Sequence, residues 1–129
     1  MTTRTVPRFA GIFLDGLAAQ DFARLASALA GDAHLSALVP RGLREARGAD
    51  EIQATFTRWL GDTLGFELVS SGAAEIGPRL HLRWRARLSA SRLGDGWFVV
   101  EQEAFADTGA DGRITRMTLL CSGYCPDEH

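Results

Sequence analysis

The residues best equipped for chemistry are carboxylates and guanidinium groups that alternate along two runs of the chain. Glu101, Glu103 and Asp107 stand at even separations within residues 97–107, and Arg83, Arg85 and Arg87 do the same within residues 80–88. On β-strands this spacing puts each set on one face. A carboxylate turned into an apolar interior loses solvation, has its pKa raised and becomes a general acid or general base. The same carboxylate turned outward opposite an arginine is an ordinary cross-strand pair. The face that Glu101 occupies therefore decides whether this chain has a candidate catalytic acid or base.

The other chemically equipped side chains are few. The histidines are His34, His81 and His129, and the cysteines are Cys121 and Cys125. Too few neighbours surround the cysteine pair to build a structural zinc site, which usually takes four ligands, so no metal is expected. Two cysteines are also too few for a disulfide scaffold. Cys121 is expected on a pocket floor as a small apolar residue. His81 sits among arginines on a polar face, and a capping or surface role is expected for His34. Gly11, Gly16, Gly42, Gly94 and Gly96 do not make a phosphate-cradling loop followed by a helix, and no dinucleotide or nucleoside-triphosphate motif is present. No cofactor is expected.

The chain has 129 residues, 14 basic against 16 acidic, a net charge of -2 and a 46% apolar share. This suits one domain, residues 1–129, with a real core. The charge balance provides no field for steering nucleic acid or an anionic membrane, and neither partner is expected. Every basic residue is arginine. The start, Met1 to Arg8, is polar and lacks the apolar stretch of a secretory signal, so the cytoplasm is the expected location.

Helical periodicity comes first along the chain. Phe9, Ile12, Phe13 and Leu17 recur after Pro7, and Asp21 caps a second short helix with Phe22, Leu25, Ala26 and Leu29, stopped at Gly31-Asp32. Residues 34–39 form a short strand before the turn at Pro40-Arg41-Gly42. A third helix follows Gly48, with Ile52, Phe56, Trp59, Leu60 and Leu64 in one stripe. From Phe66 the period becomes two, giving strands at 66–76, 80–88, 97–107 and 114–124. Gly77-Pro78, Gly94-Asp95-Gly96 and Asp111-Gly112 turn between them. Helices followed by a meander of long strands make an α+β pattern, with a bent sheet wrapped around the helices and a pocket between the two layers.

The order of these features resembles the nuclear transport factor 2-like superfamily, in its SnoaL-like, polyketide-cyclase-like branch. The carriers are the Asp21-led helix, Gly31-Asp32-Ala33-His34, Arg47-Gly48-Ala49-Asp50-Glu51-Ile52, Val99-Val100-Glu101-Gln102 and Asp111-Gly112-Arg113-Ile114. The resemblance spans nearly the whole chain. It implies a cystatin-like α+β barrel: a cone-shaped, curved antiparallel or mixed sheet around three N-terminal helices, usually as a homodimer.

The superfamily does not imply one activity, so function rests on the site. Ketosteroid isomerase uses a carboxylate base and two acidic hydrogen-bond donors. By the resemblance, the base position falls on Val39 and the tyrosine donor on Phe13, and neither can move a proton. The second donor falls near Glu101, the candidate catalytic residue. This register favours an inward Glu101, whereas composition alone favours an outward one. Epoxide-hydrolase chemistry would need carboxylates bridged by arginine around a water.

Two functions are expected. In the first, the protein binds a small apolar molecule and transforms it by isomerase, cyclase or lyase type acid/base chemistry. Phe13, Val39, Phe56, Trp59, Trp84 and Cys121 would shape its pocket. In the second, it is a non-catalytic homodimeric module for ligand binding or interaction.

Overall fold

The computed structural model describes residues 7–127. The polar start read at Met1–Val6 and the terminal His129 lie outside the described residues. Three helices and a curved, unclosed sheet of seven strands make the α+β architecture.

The first helix, α1 (Arg8–Ala19), begins after Pro7 and ends at Gln20 in the left-handed conformation. The second, α2 (Phe22–Ser27), is capped by Asp21, whose carboxylate accepts from the Arg24 amide at 3.1 Å. These two helices cross closely because Gly16 has no side chain: a Cβ there would come within 2.6 Å of the Leu25 amide nitrogen.

Strand β1 (Leu29–Val39) starts earlier than the sequence suggests. Gly31-Asp32 lies inside the strand and does not stop α2, because the chain already pairs with the sheet where the Ala28 carbonyl accepts from the Ile114 amide at 2.9 Å. Pro40-Arg41 then turns into β2 (Gly42–Arg47), a strand absent from the sequence reading. Its charged composition hides it, and an edge strand tolerates such composition because only one side is paired.

Helix α3 (Ala49–Leu60) has Asp50 and Glu51 in its first turn, where the helix dipole favours negative charge. It stops before Leu64. Gly61 is extended and Asp62 has φ 52°, so the expected apolar stripe ends at Leu60 and Leu64 is 80% exposed.

The remaining strands are β3 (Gly65–Ile76), β4 (Arg79–Ser89), β5 (Phe98–Thr108), β6 (Ile114–Cys121) and the short β7 (Cys125–Pro126). A single 3-10 turn at Ser91–Leu93 precedes the Gly94–Gly96 loop. Sheet order is β2-β1-β6-β5-β4-β3, with β7 on β5. Among the described residues only the β1–β6 pair is parallel, so the sheet is mixed.

Alternation along β4 is as the sequence suggests. Leu80, Leu82, Trp84, Ala86 and Leu88 face the helices and are buried, while Arg83 and Arg85 face out. Phe13, Phe56 and Trp84 meet where α1, α3 and β4 converge, at 0%, 0% and 1% exposure. Phe13 lies edge-on to Phe56 with ring centres 5.5 Å apart, and Trp84 is 5.5 Å from Phe13. Burying each of these rings contributes about 1.5–3 kcal/mol. Together they fill the middle of the cone.

Candidate functional site

What the rings leave open is a cleft of about 410 Å³ at one end of the molecule. Three segments build it: the β1–β2 turn with Val39, Pro40, Arg41 and Arg44, the last turn of α3 with Trp59, and the stretch after β6 from Cys121 to Tyr124. Val39 and Cys121 reach it because they continue the inward faces of their strands, after Leu35 and Ala37 on β1 and after Met117 and Leu119 on β6. Trp59 stands edge-on to the buried Phe56, ring centres 5.2 Å apart, so the core fixes the ring that borders the opening.

The far wall depends on a glycine. Gly123 has φ 80°, and a Cβ there would lie 2.6 Å from the Pro40 ring. This close approach holds the segment after β6 against the β1–β2 turn. From there Tyr124 reaches across and donates its hydroxyl to the Trp59 carbonyl, which also accepts from Arg92 Nη2 at 2.9 Å. Burial pushes the Tyr124 phenol above its ordinary value, with Arg92 opposing. The phenol is therefore a neutral donor over the usual pH range.

Of the six residues expected to shape a pocket, the structure brings Val39, Trp59 and Cys121 together at the cleft. Phe13, Phe56 and Trp84 are packed behind it as core. These three rings pack on one another and do not line the cleft.

Glu101 is the larger correction. Its side chain lies on the outer face, 56% exposed, with Oε1 accepting from Arg85 at 3.1–3.2 Å. It borders a separate outer hollow of about 360 Å³ beside Arg83, Glu103 and Leu120. The inward register suggested by the resemblance is one residue off, and the residue that points inward is Gln102, 1% exposed. Gln102 Oε1 accepts from the Trp84 indole at 2.7 Å, and its Nε2 donates to the Cys121 thiol at 3.4 Å. These three are direct cross-strand partners on β4, β5 and β6. They form a neutral polar row from core to cleft, which the sequence reading missed.

The other candidates also lie outside. His34 Nε2 is 3.2 Å from Glu45, and His81 stacks on Phe105 with Nε2 3.6 Å from Glu103. Asp107 pairs with Arg79 at 2.9 Å. None of the residues lining the cleft is an aspartate or glutamate, so the carboxylates of an epoxide-hydrolase mechanism are not gathered there. Among the described residues no group of three or more His, Cys, Asp or Glu side chains could hold a metal ion. None of their helices is long and apolar enough to cross a membrane.

Other hollows occur at the Gly77-Pro78 turn, with Arg8, Glu75 and Arg79, and around Leu64 and Trp97. Turns and exposed backbone line both. The inward face of the sheet reaches the cleft beside Trp59 through Val39 and Cys121.

No protein-family model matches the sequence, and no curated protein matches it. Solved structures do. A Catenulispora acidiphila protein with a ketosteroid isomerase-like fold superposes with a TM-score of 0.73 at 15% identity, covering 92% of this chain and 88% of that one. A phenazine biosynthesis-related protein from Pseudomonas aeruginosa gives 0.67 at 14% identity, covering 90% and 80%. An epoxide hydrolase of M. tuberculosis, described as LEH-like, gives 0.64 at 22% identity, covering 90% and 81%. With its helices laid in a curved, unclosed sheet of the same kind, the chain has the nuclear transport factor 2-like fold, shared with ketosteroid isomerase-like and SnoaL-like proteins.

Proposed function

We propose that this protein binds a small, mostly apolar molecule in the cleft between Val39, Trp59, Cys121 and Tyr124, without a cofactor. The observation that carries the reading is a cavity lined mainly by apolar and aromatic side chains, into which a few fixed polar groups converge. Its volume, about 410 Å³, suits a small ligand. Trp59 offers a ring face, and the Cys121 thiol and Tyr124 hydroxyl offer weak and strong polar contacts. Structural neighbours include a phenazine biosynthesis-related protein and an epoxide hydrolase, which supports a fold used to hold small molecules.

Binding is favoured over acid/base turnover because, among the described residues, no carboxylate lines this space. The positions associated with isomerase chemistry are Val39 and the buried Phe13, and the inward strand position holds the neutral Gln102. Val39→Trp should fill the cleft. Calorimetric titration with naphthamide, a flat neutral probe, is expected to give saturable heat with the parent protein and none with this variant. Equal binding by both would place the ligand elsewhere.

A second reading concerns assembly and is compatible with the first. Leu43, Leu38 and Leu120 are direct neighbours across β2, β1 and β6 on the outer face, exposed by 60%, 51% and 58%. The same row continues into Glu103 and Arg83. An exposed apolar strip of this kind calls for cover, and a second copy of this chain, laying the same strip across it about a twofold axis, is the proposed occupant.

A further inference from the structure

The guanidinium groups at the mouth of the cleft point to the chemical class of the ligand. We infer that Arg41 and Arg44 select an apolar molecule bearing one carboxylate, an inference that rests on the ligand-binding reading above.

Arg44 breaks the pattern of its own strand. On β1 the inward residues are Leu35, Ala37 and Val39, and their partners on β2 are Ala46, Arg44 and Gly42. Ala46 is buried as the pattern requires. Arg44 occupies the next inward position, where an apolar side chain would extend the core, and it lines the cleft together with Arg41 from the adjoining turn. A side chain that contradicts its local pattern without a structural partner is expected at functional positions.

Among the described residues, neither arginine has a partner of opposite charge. Arg24, Arg79, Arg85, Arg87 and Arg113 each pair with an aspartate or glutamate at 3.8 Å or less. Several other described arginines, Arg47 and Arg83 among them, make no ion pair, and what sets Arg41 and Arg44 apart is their place on the cleft. Among the described residues, Arg41 makes no ion pair, and Arg44 Nη1 donates only to the neighbouring Leu43 carbonyl at 3.2 Å. Among the described residues, none that lines the cleft is acidic. The end of α3 also presents little negative charge, because the Trp59 carbonyl is already taken by Tyr124 and Arg92, and the Gly61 carbonyl by Arg92 at 2.9 Å.

The site is therefore amphipathic. Val39, Trp59 and Tyr124 provide the apolar floor, and two guanidinium forks stand at the rim. A planar guanidinium matches a carboxylate through two parallel hydrogen bonds, a geometry that a neutral amide cannot reproduce. The rim is exposed to solvent, so the preference is modest and weakens with salt.

Calorimetry with naphthoate and naphthamide, equal in ring and differing in charge, tests the inference. In the parent protein naphthoate is expected to bind about 10-fold more tightly than naphthamide, and in Arg41→Gln/Arg44→Gln the ratio of the two affinities is expected to fall to about 1. Both arginines are exposed, and an unchanged melting temperature confirms that the variant folds. Equal affinity of the two probes, with both excluded by Val39→Trp, would overturn carboxylate selection and leave the cleft reading standing. Binding of neither probe, or binding that Val39→Trp does not affect, would overturn both.

Discussion

Tyr124 ties the segment after β6 to the last turn of α3, and its hydrogen bond requires the phenol to be protonated. Burial holds its pKa above 10.0 against the opposing effect of Arg92. A folded pKa above the unfolded one means that the stabilisation is complete below about pH 10 and is lost as pH rises through the folded value. Because the chain contains 1 tyrosine, the near-ultraviolet phenolate signal reports this residue alone. Its midpoint is expected above the ordinary tyrosine value and to fall to that value in denaturant; a native midpoint at or below it would contradict the buried contact. Glu101 and Gln102 show what was readable at this scale. The alternation of Glu101, Glu103 and Asp107 already grouped the charges on one face, which leaves Gln102 with Val100, Ala104 and Ala106 on the other. Register by resemblance placed Glu101 inward because it fixes position along a strand only to within a residue, and one residue inverts the face. The Trp84–Gln102 bond was not readable, since it depends on the pairing of β4 with β5.

The elements were legible in proportion to the apolar material they bury. Helix α3 and strand β4 carry unbroken stripes of their own period, and the sequence places both within a few residues. Strand β2 has one buried residue, Ala46, and its fold-defining partner is the distant stretch of β1, so its local sequence contains no period to detect. The early start of β1 is set by β6, 80 residues and more away in the chain. The outer face of the same sheet carries the assembly prediction. Leu38→Arg with Leu120→Arg places like charges where the proposed twofold brings copies together, at positions already exposed, so each chain should keep its fold. Sedimentation at micromolar concentration is expected to show dimers for the parent protein and monomers for the variant. A monomeric parent, or a variant that stays dimeric, would refute this face as the interface.

At the scale of the molecule, the layers, the turn positions and the wrapping of sheet around helices were legible because they follow from where the period changes from helical to two. The extent of the cavity was not. Whether Phe13, Phe56 and Trp84 border a space or pack on one another depends on how far the helices sink into the curved sheet, which no local stretch of sequence encodes; here their ring centres lie 5.5 to 6.1 Å apart. The outcome is a packed centre with a cleft at one end, floored by a single tryptophan. The chain has 3 tryptophans, and each indole N–H gives its own amide-region resonance. Trp84 donates to Gln102 in the core, and Trp97 lies under Arg87 on the far side of the sheet, leaving Trp59 alone at the cleft. Titrating naphthoate into nitrogen-labelled protein is therefore expected to shift the Trp59 indole resonance while those of Trp84 and Trp97 stay in place. A shift confined to Trp97, or none at saturating ligand, would contradict a binding cleft beside Trp59.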